Sequence, residues 1–87
     1  MFVILAYDVN VERVNKVKKF LRRYLNWIQN SLFEGEVSEA DLEEIKVGLK
    51  KIINESEDMI VIYKLRTDRV VKREIMGLDK SKTDEII

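Results

Sequence analysis

Eighty-seven residues, with sixteen Lys and Arg against sixteen Asp and Glu, make a short, formally neutral and heavily charged chain that is 46% apolar. That length predicts one domain, 1–87, with a core small enough that self-association into a symmetric dimer is a cheap way to complete it. The chain has no Cys, His or Pro, which excludes disulfides, thiolate nucleophiles, Cys-based zinc sites and every His-dependent triad within it. Catalysis would have to use carboxylates, hydroxyls, Lys or Arg, with a hard oxygen-seeking cation.

The run Phe2 to Tyr7 is continuously apolar and β-branched, and it stops at Asp8. It predicts a strand buried on both faces. Lacking a basic flank and far too short to cross a bilayer, it is neither a signal nor a span, so the expectation is a cytoplasmic protein with no membrane partner. Asn10 is placed to cap a helix running to about Tyr24. Val14, Val17, Leu21 and Tyr24 mark its inner stripe, and Glu12, Lys16, Lys19 and Arg23 its outer one. Residues 27–37 have extended character, readable as one bulged strand or as a tight pair turning near Asn30-Ser31.

Ser38 and Asp41 have capping-box spacing, and Val37 with Leu42 has that of a hydrophobic staple. They start a second helix, with Leu42, Ile45, Leu49, Ile52 and Ile53 inward, that ends near Asn54. Gly48 inside it costs about 1 kcal/mol relative to Ala, which either close approach of the helix to the sheet or a tolerated defect would explain. Met59 to Tyr63 is another strand; Thr67-Asp68-Arg69 predicts a turn, followed by a strand from Val70 to about Met76 ended by Gly77. This order is that of an α+β plait with two helices on one face of an antiparallel sheet.

Asp8 is the residue with most chemical promise. A carboxylate directly after a buried strand is either a strand stop or a ligand for Mg²⁺ (or Mn²⁺). One carboxylate is a poor site alone, but two-fold symmetry could bring a second Asp8 beside it. From Arg13 through Phe33 there are six bases and no acid, and from Glu34 through Glu44 six acids and no base. The helix dipole accounts for the second helix but not for the first, whose bases run along its whole length. Arg13, Lys16, Lys19 and Arg23 could therefore track a phosphate backbone, or form only a solvated face. A later cluster, Lys64, Arg66, Arg69, Lys72 and Arg73, has the same two readings.

Tyr7-Asp8-Val9 at the end of the first strand, Arg13 and the basic helix, and Gln29-Asn30-Ser31-Leu32-Phe33-Glu34-Gly35 at this spacing resemble the CRISPR-associated Cas-two family. This is the small, non-integrase subunit of the spacer-acquisition machinery. The resemblance implies a ferredoxin-like βαββαβ fold with an extra C-terminal strand, and a homodimer. It implies Asp8 as the metal-proximal acid, with Tyr7, Ser31 and Phe33 as neighbours in the catalytic site. It implies a tail, 78–87, whose strand near Glu85 to Ile87 crosses to the other protomer's sheet. Three activities are consistent with it: a Mg²⁺-dependent endonuclease on RNA or duplex DNA, a non-catalytic DNA-binding scaffold for a Cas-one family integrase, and a toxin-like ribonuclease.

Overall fold

The computed structural model describes residues 1–82. Strand β1 spans Phe2–Asp8, helix α1 Val11–Leu21, strands β2 and β3 Asn26–Gln29 and Leu32–Glu36, helix α2 Glu39–Ile52, and strand β4 Met59–Leu65. The sheet order is β2-β3-β1-β4, and each neighbouring pair is antiparallel. This is the ferredoxin-like plait: β3 turns back from β2 to lie beside β1, and α2 carries the chain across to the other edge of β1, so β1 and β3 are the inner strands.

Alternation along β1 divides the sheet into two faces. Val3, Leu5 and Tyr7 are buried beneath the helices with Val17, Leu21, Phe33, Leu42, Ile45 and Leu49. Ile4 and Ala6 face the other way, beside Tyr63 and Val61 of β4, and are only half-buried. The expectation of burial on both faces therefore holds along the helix face and, on the other, only at Phe2. Among the described residues no second layer of helices covers the other face.

Local chemistry sets the element ends. Asn10 caps α1 through its side chain, which accepts from the Glu12 N–H. Helix α1 stops at Leu21 rather than near Tyr24, because residues 22–24 form turns whose amides return to Lys18, Phe20 and Leu21. That turn drops Leu25 into the core, where its Cδ2 lies 3.2 Å from the position a Cβ on Gly35 would take. Residues 27–37 are a hairpin, with a bulge between Trp27 and Gln29. Asn30 adopts φ 37 at its turn, a left-handed conformation that Asn tolerates better than most residues. The Ser38–Asp41 capping box is present in both directions, and Val37 and Leu42 are buried beside it.

Gly48 is explained by a close approach, but to α1 rather than to the sheet. A Cβ there would lie 2.1 Å from Cζ of Phe20. The expected strand from Val70 to Met76 is absent from the described sheet. A single turn of 3₁₀-helix at Asp68–Val70 diverts the chain, and Val71 is extended, with φ −95 and ψ 124, but has no ladder partner. The segment instead pairs Arg73 with Glu34 of β3, and it exposes Ile75, Met76 and Leu78. Gly77 follows at φ +90. A second 3₁₀ turn at Lys80–Lys82 approaches β2. The crossing strand expected near Glu85 to Ile87 lies outside the described residues.

Candidate functional site

Asp8 is the last residue of β1, opposite Met59 of β4, and it is exposed. Since Tyr7 turns toward the helices, strand alternation turns Asp8 toward the uncovered face. On the other side of β1, the Tyr7 N–H donates to the Ser31 carbonyl at 3.1 Å, which brings the β2–β3 turn alongside. Tyr7, Asp8, Val9, Val14, Asn30 and Ser31 line a shallow pocket of about 330 Å³.

The expected neighbours of Asp8 thus divide. Ser31 lies at the pocket, partly exposed. Tyr7 contributes to the pocket wall but is 5% exposed. Its buried hydroxyl has no hydrogen-bond partner among the described residues, and burial pushes its pKa up. That phenol keeps its proton and is no base. Phe33 is completely buried, its ring stacked on Tyr7 with centroids 6.2 Å apart; it supports β1 from within the core.

Arg13 is engaged within the chain. Its Nε donates to Asp58 Oδ2 at 2.7 Å and its Nη2 to Oδ1 at 3.1 Å. Further contacts reach Glu57 and Glu12, both at 2.9 Å. The Arg13 side chain is 15% exposed, and the Asp58 side chain is fully enclosed. Asp58 also accepts the Asn10 N–H at 2.9 Å and the Asn54 N–H at 2.8 Å. Arg13 is the main reason its carboxyl is held well below the usual carboxylate range. Reciprocally, the Asp58 hydrogen bond holds the guanidinium pKa above its ordinary value. Asp58 escapes sequence reading because its partner lies 45 positions away; in the sequence it is only the last acid of Glu55-Ser56-Glu57-Asp58 ahead of a strand.

Lys16, Lys19 and Arg23 are all exposed on the outer side of α1 and the turn after it. Lys18 instead stacks over Trp27, 4.5 Å from the ring centroid. Lys19, Arg22, Arg23 and Arg73 line a groove of about 650 Å³ with Asn26 and Trp27. This groove lies at the opposite end of the sheet from Asp8, since α1 leads away from the Asp8 end to reach β2. The stripe of Lys16, Lys19 and Arg23 faces out from the helix layer, and Asp8 faces the other side of the sheet.

A metal would find one carboxylate here. Among the described residues no group of three or more His, Cys, Asp or Glu side chains could hold an ion. The donor chemistry at Asp8, exposed carboxylate oxygen, suits Mg²⁺, which keeps several waters and accepts ligands from substrate phosphates. One chain therefore fits as half of a site. Among the described residues no helix is long and apolar enough to cross a membrane.

The fold and site define a small α+β plait with a single exposed acid at the end of its central strand and bases along its first helix. The family model of CRISPR-associated protein Cas2 matches residues 1–73. The chain is 71% identical to the CRISPR-associated endoribonuclease Cas2 2 of Archaeoglobus fulgidus, covering 92% of this chain and 87% of that protein. It is 59% identical to the CRISPR-associated endoribonuclease Cas2 of Pyrococcus furiosus over the full length of both. A crystal structure of a Cas2 superposes with a TM-score of 0.84 at 48% identity, covering 100% of this chain and 98% of that one. The chain belongs to the CRISPR-associated Cas2 family.

Proposed function

We propose that this chain is a cytoplasmic, Mg²⁺-dependent endonuclease of CRISPR spacer acquisition, cutting phosphodiester bonds in RNA or duplex DNA as a homodimer. The observation that carries the reading is the position of Asp8. It is an exposed carboxylate at the end of the central strand, at the margin of a sheet face left half-open around Ile4, Ala6 and Val61. Covering that apolar face with a second copy would place two Asp8 carboxylates near the dyad. The relatives named as endoribonucleases support the same class of reaction.

Asp8 would hold the cation, which when bound supplies charge neutralisation and polarisation at the phosphoryl group. Ser31, which lines the same pocket as Asp8, would orient a phosphate oxygen. Lys16, Lys19 and Arg23 would hold the backbone of a longer substrate. The C-terminal segment, which has no ladder partner among the described residues, would complete the partner's sheet and cover its edge.

The test is cleavage of RNA and of duplex DNA with Mg²⁺, with EDTA, and by an Asp8→Ala variant. Cleavage is expected to need both the metal and Asp8; equal cleavage by the variant would show that the activity belongs to a contaminant. Light scattering at micromolar concentration should report a dimer, and a monomer would remove the shared site.

A second reading, a DNA-binding scaffold for a Cas-one family integrase, is favoured by one observation. The α1 stripe and Asp8 lie on different layers of the plait, so a duplex gripped by the helices need not reach Asp8. On that reading Asp8→Ala leaves spacer acquisition intact, and neutralising the stripe abolishes it.

A further inference from the structure

The β1–β4 ladder ends at the pair Asp8 and Met59. Beyond it the two strands are joined by a side chain. Asp58, the residue before Met59, accepts the N–H of Asn10, two residues after Asp8, at 2.9 Å. The same carboxylate accepts the N–H of Asn54, at the end of α2, at 2.8 Å and the fork of Arg13 on α1 at 2.7 and 3.1 Å. One enclosed carboxylate therefore ties together β1, α1 and the loop between α2 and β4, at the end of the sheet where Asp8 emerges.

The ends of ladders are where sheets open most easily. An acid that must hold a cation in a dyad-related pair tolerates displacement poorly: a shift of about 1 Å can cost on the order of 100-fold in rate. Tyr7 is already anchored on its other side, through its N–H to Ser31. The Asp58 clasp supplies the restraint on the β4 side. Its charge matters as much as its shape, because all its hydrogen-bonding neighbours are donors. A neutral amide would present two N–H groups of its own to that ring of donors.

We propose that Asp58 is a positioning residue for Asp8, acting through Asn10 and Arg13 to hold the end of β1 in the geometry a shared cation requires. This rests on the reading of Asp8 as a metal anchor. In the full-length dimer, Mn²⁺ should broaden the Asp8 amide resonance of the wild type, and Asp8→Ala should abolish the effect. Asp58→Asn, measured well below its unfolding temperature, should raise the Mn²⁺ midpoint 10- to 100-fold. It should lower kcat on RNA by a similar factor, while substrate affinity changes less than two-fold.

A variant that unfolds is replaced by Arg13→Gln, which leaves both backbone bonds to Asp58 in place; a midpoint shift of about three-fold or more is then expected. Wild-type broadening with an unchanged midpoint in the folded variant would overturn the positioning role and leave the metal reading standing. No Asp8-dependent broadening in the wild type would overturn both.

Discussion

Neutralising the outer face of α1 should change how nucleic-acid binding responds to salt, by an amount the structure sets. Lys16, Lys19 and Arg23 follow i, i+3, i+7 spacing and are all exposed, so each can reach a phosphate without disturbing the core. Each phosphate neutralised contributes about 0.9 to the slope of log K against log salt on B-DNA. If both protomers of a dimer engage one duplex, the triple substitution to Gln removes about 5 from that slope. Between 50 and 200 mM salt that corresponds to about a 1,000-fold change in how much affinity is lost. With one protomer engaged, the loss of slope is about 2.7.

Gln is nearly as good a helix former as Lys, so α1 should persist, while Arg23, in the turn after it, gives up only an exposed guanidinium over the Phe20 and Tyr24 rings. The assay is fluorescence anisotropy on labelled duplex DNA across a salt series. The control is Lys46, Lys50 and Lys51 of α2 changed to Gln, which alters net charge equally from another exposed surface. An unchanged slope in the α1 variant would mean that these three side chains contact no phosphate. An equal fall in the α2 control would refute the stripe as well, since the effect would then be total charge rather than phosphate tracking.

Three further outcomes follow from the packing and the charges. Gly48→Ala should be neutral or destabilising by up to about 2 kcal/mol, because overpacking against Phe20 (about 1–3 kcal/mol) opposes a helix-propensity gain of about 1 kcal/mol. In a Phe20→Ala background the same change should stabilise. Urea midpoints at equal protomer concentration decide it, and identical shifts in both backgrounds would show that the ring exerts no pressure.

Tyr7→Phe removes a buried hydroxyl with no partner among the described residues. The thermal midpoint should stay constant or rise by roughly 4–8 °C per kcal/mol recovered; a fall of more than a few degrees would mean that the hydroxyl is satisfied. Asp58 has a folded-state carboxyl held below the ordinary range by Arg13. Its contribution is therefore complete above an unfolded value of about 3.9 and is lost as pH falls through the lower folded value. Asp58→Asn should lower stability at pH 7 and flatten the decline between about pH 4 and pH 2. Asp79, also held low, chiefly by the Ser81 hydroxyl, keeps some slope; an undiminished decline would exclude Asp58 as its source.

Much of the site's placement was already in the sequence. Asp8 after an apolar run, Asn10 as a cap, the Ser38–Asp41 box and the turn at Asn30-Ser31 are local signals, each involving residues within a few positions of one another. The stripe of Lys16, Lys19 and Arg23 is a helical periodicity and is equally legible. Arg13 looked like part of that stripe because sequence shows its charge but not its partner. The Asp58 carboxylate that occupies it comes from the far side of both helices in chain order. The strand expected at Val70 to Met76 failed for a related reason: β-propensity marks a segment able to pair, and pairing needs an edge the turn at Asp68–Val70 directs it away from.

What the sequence determined by itself is the two helices, the strands β1 and β4, their order, the family, and the lack of His and Cys, since composition and periodicity settle these locally. Only the tertiary structure decided which face of β1 is covered, that Tyr7 and Phe33 belong to the core, that Gly48 makes room for Phe20, and that Asp58 clasps the strand carrying Asp8. Those are contacts between residues far apart in the chain. Their geometry exists only once the helices have packed on the sheet.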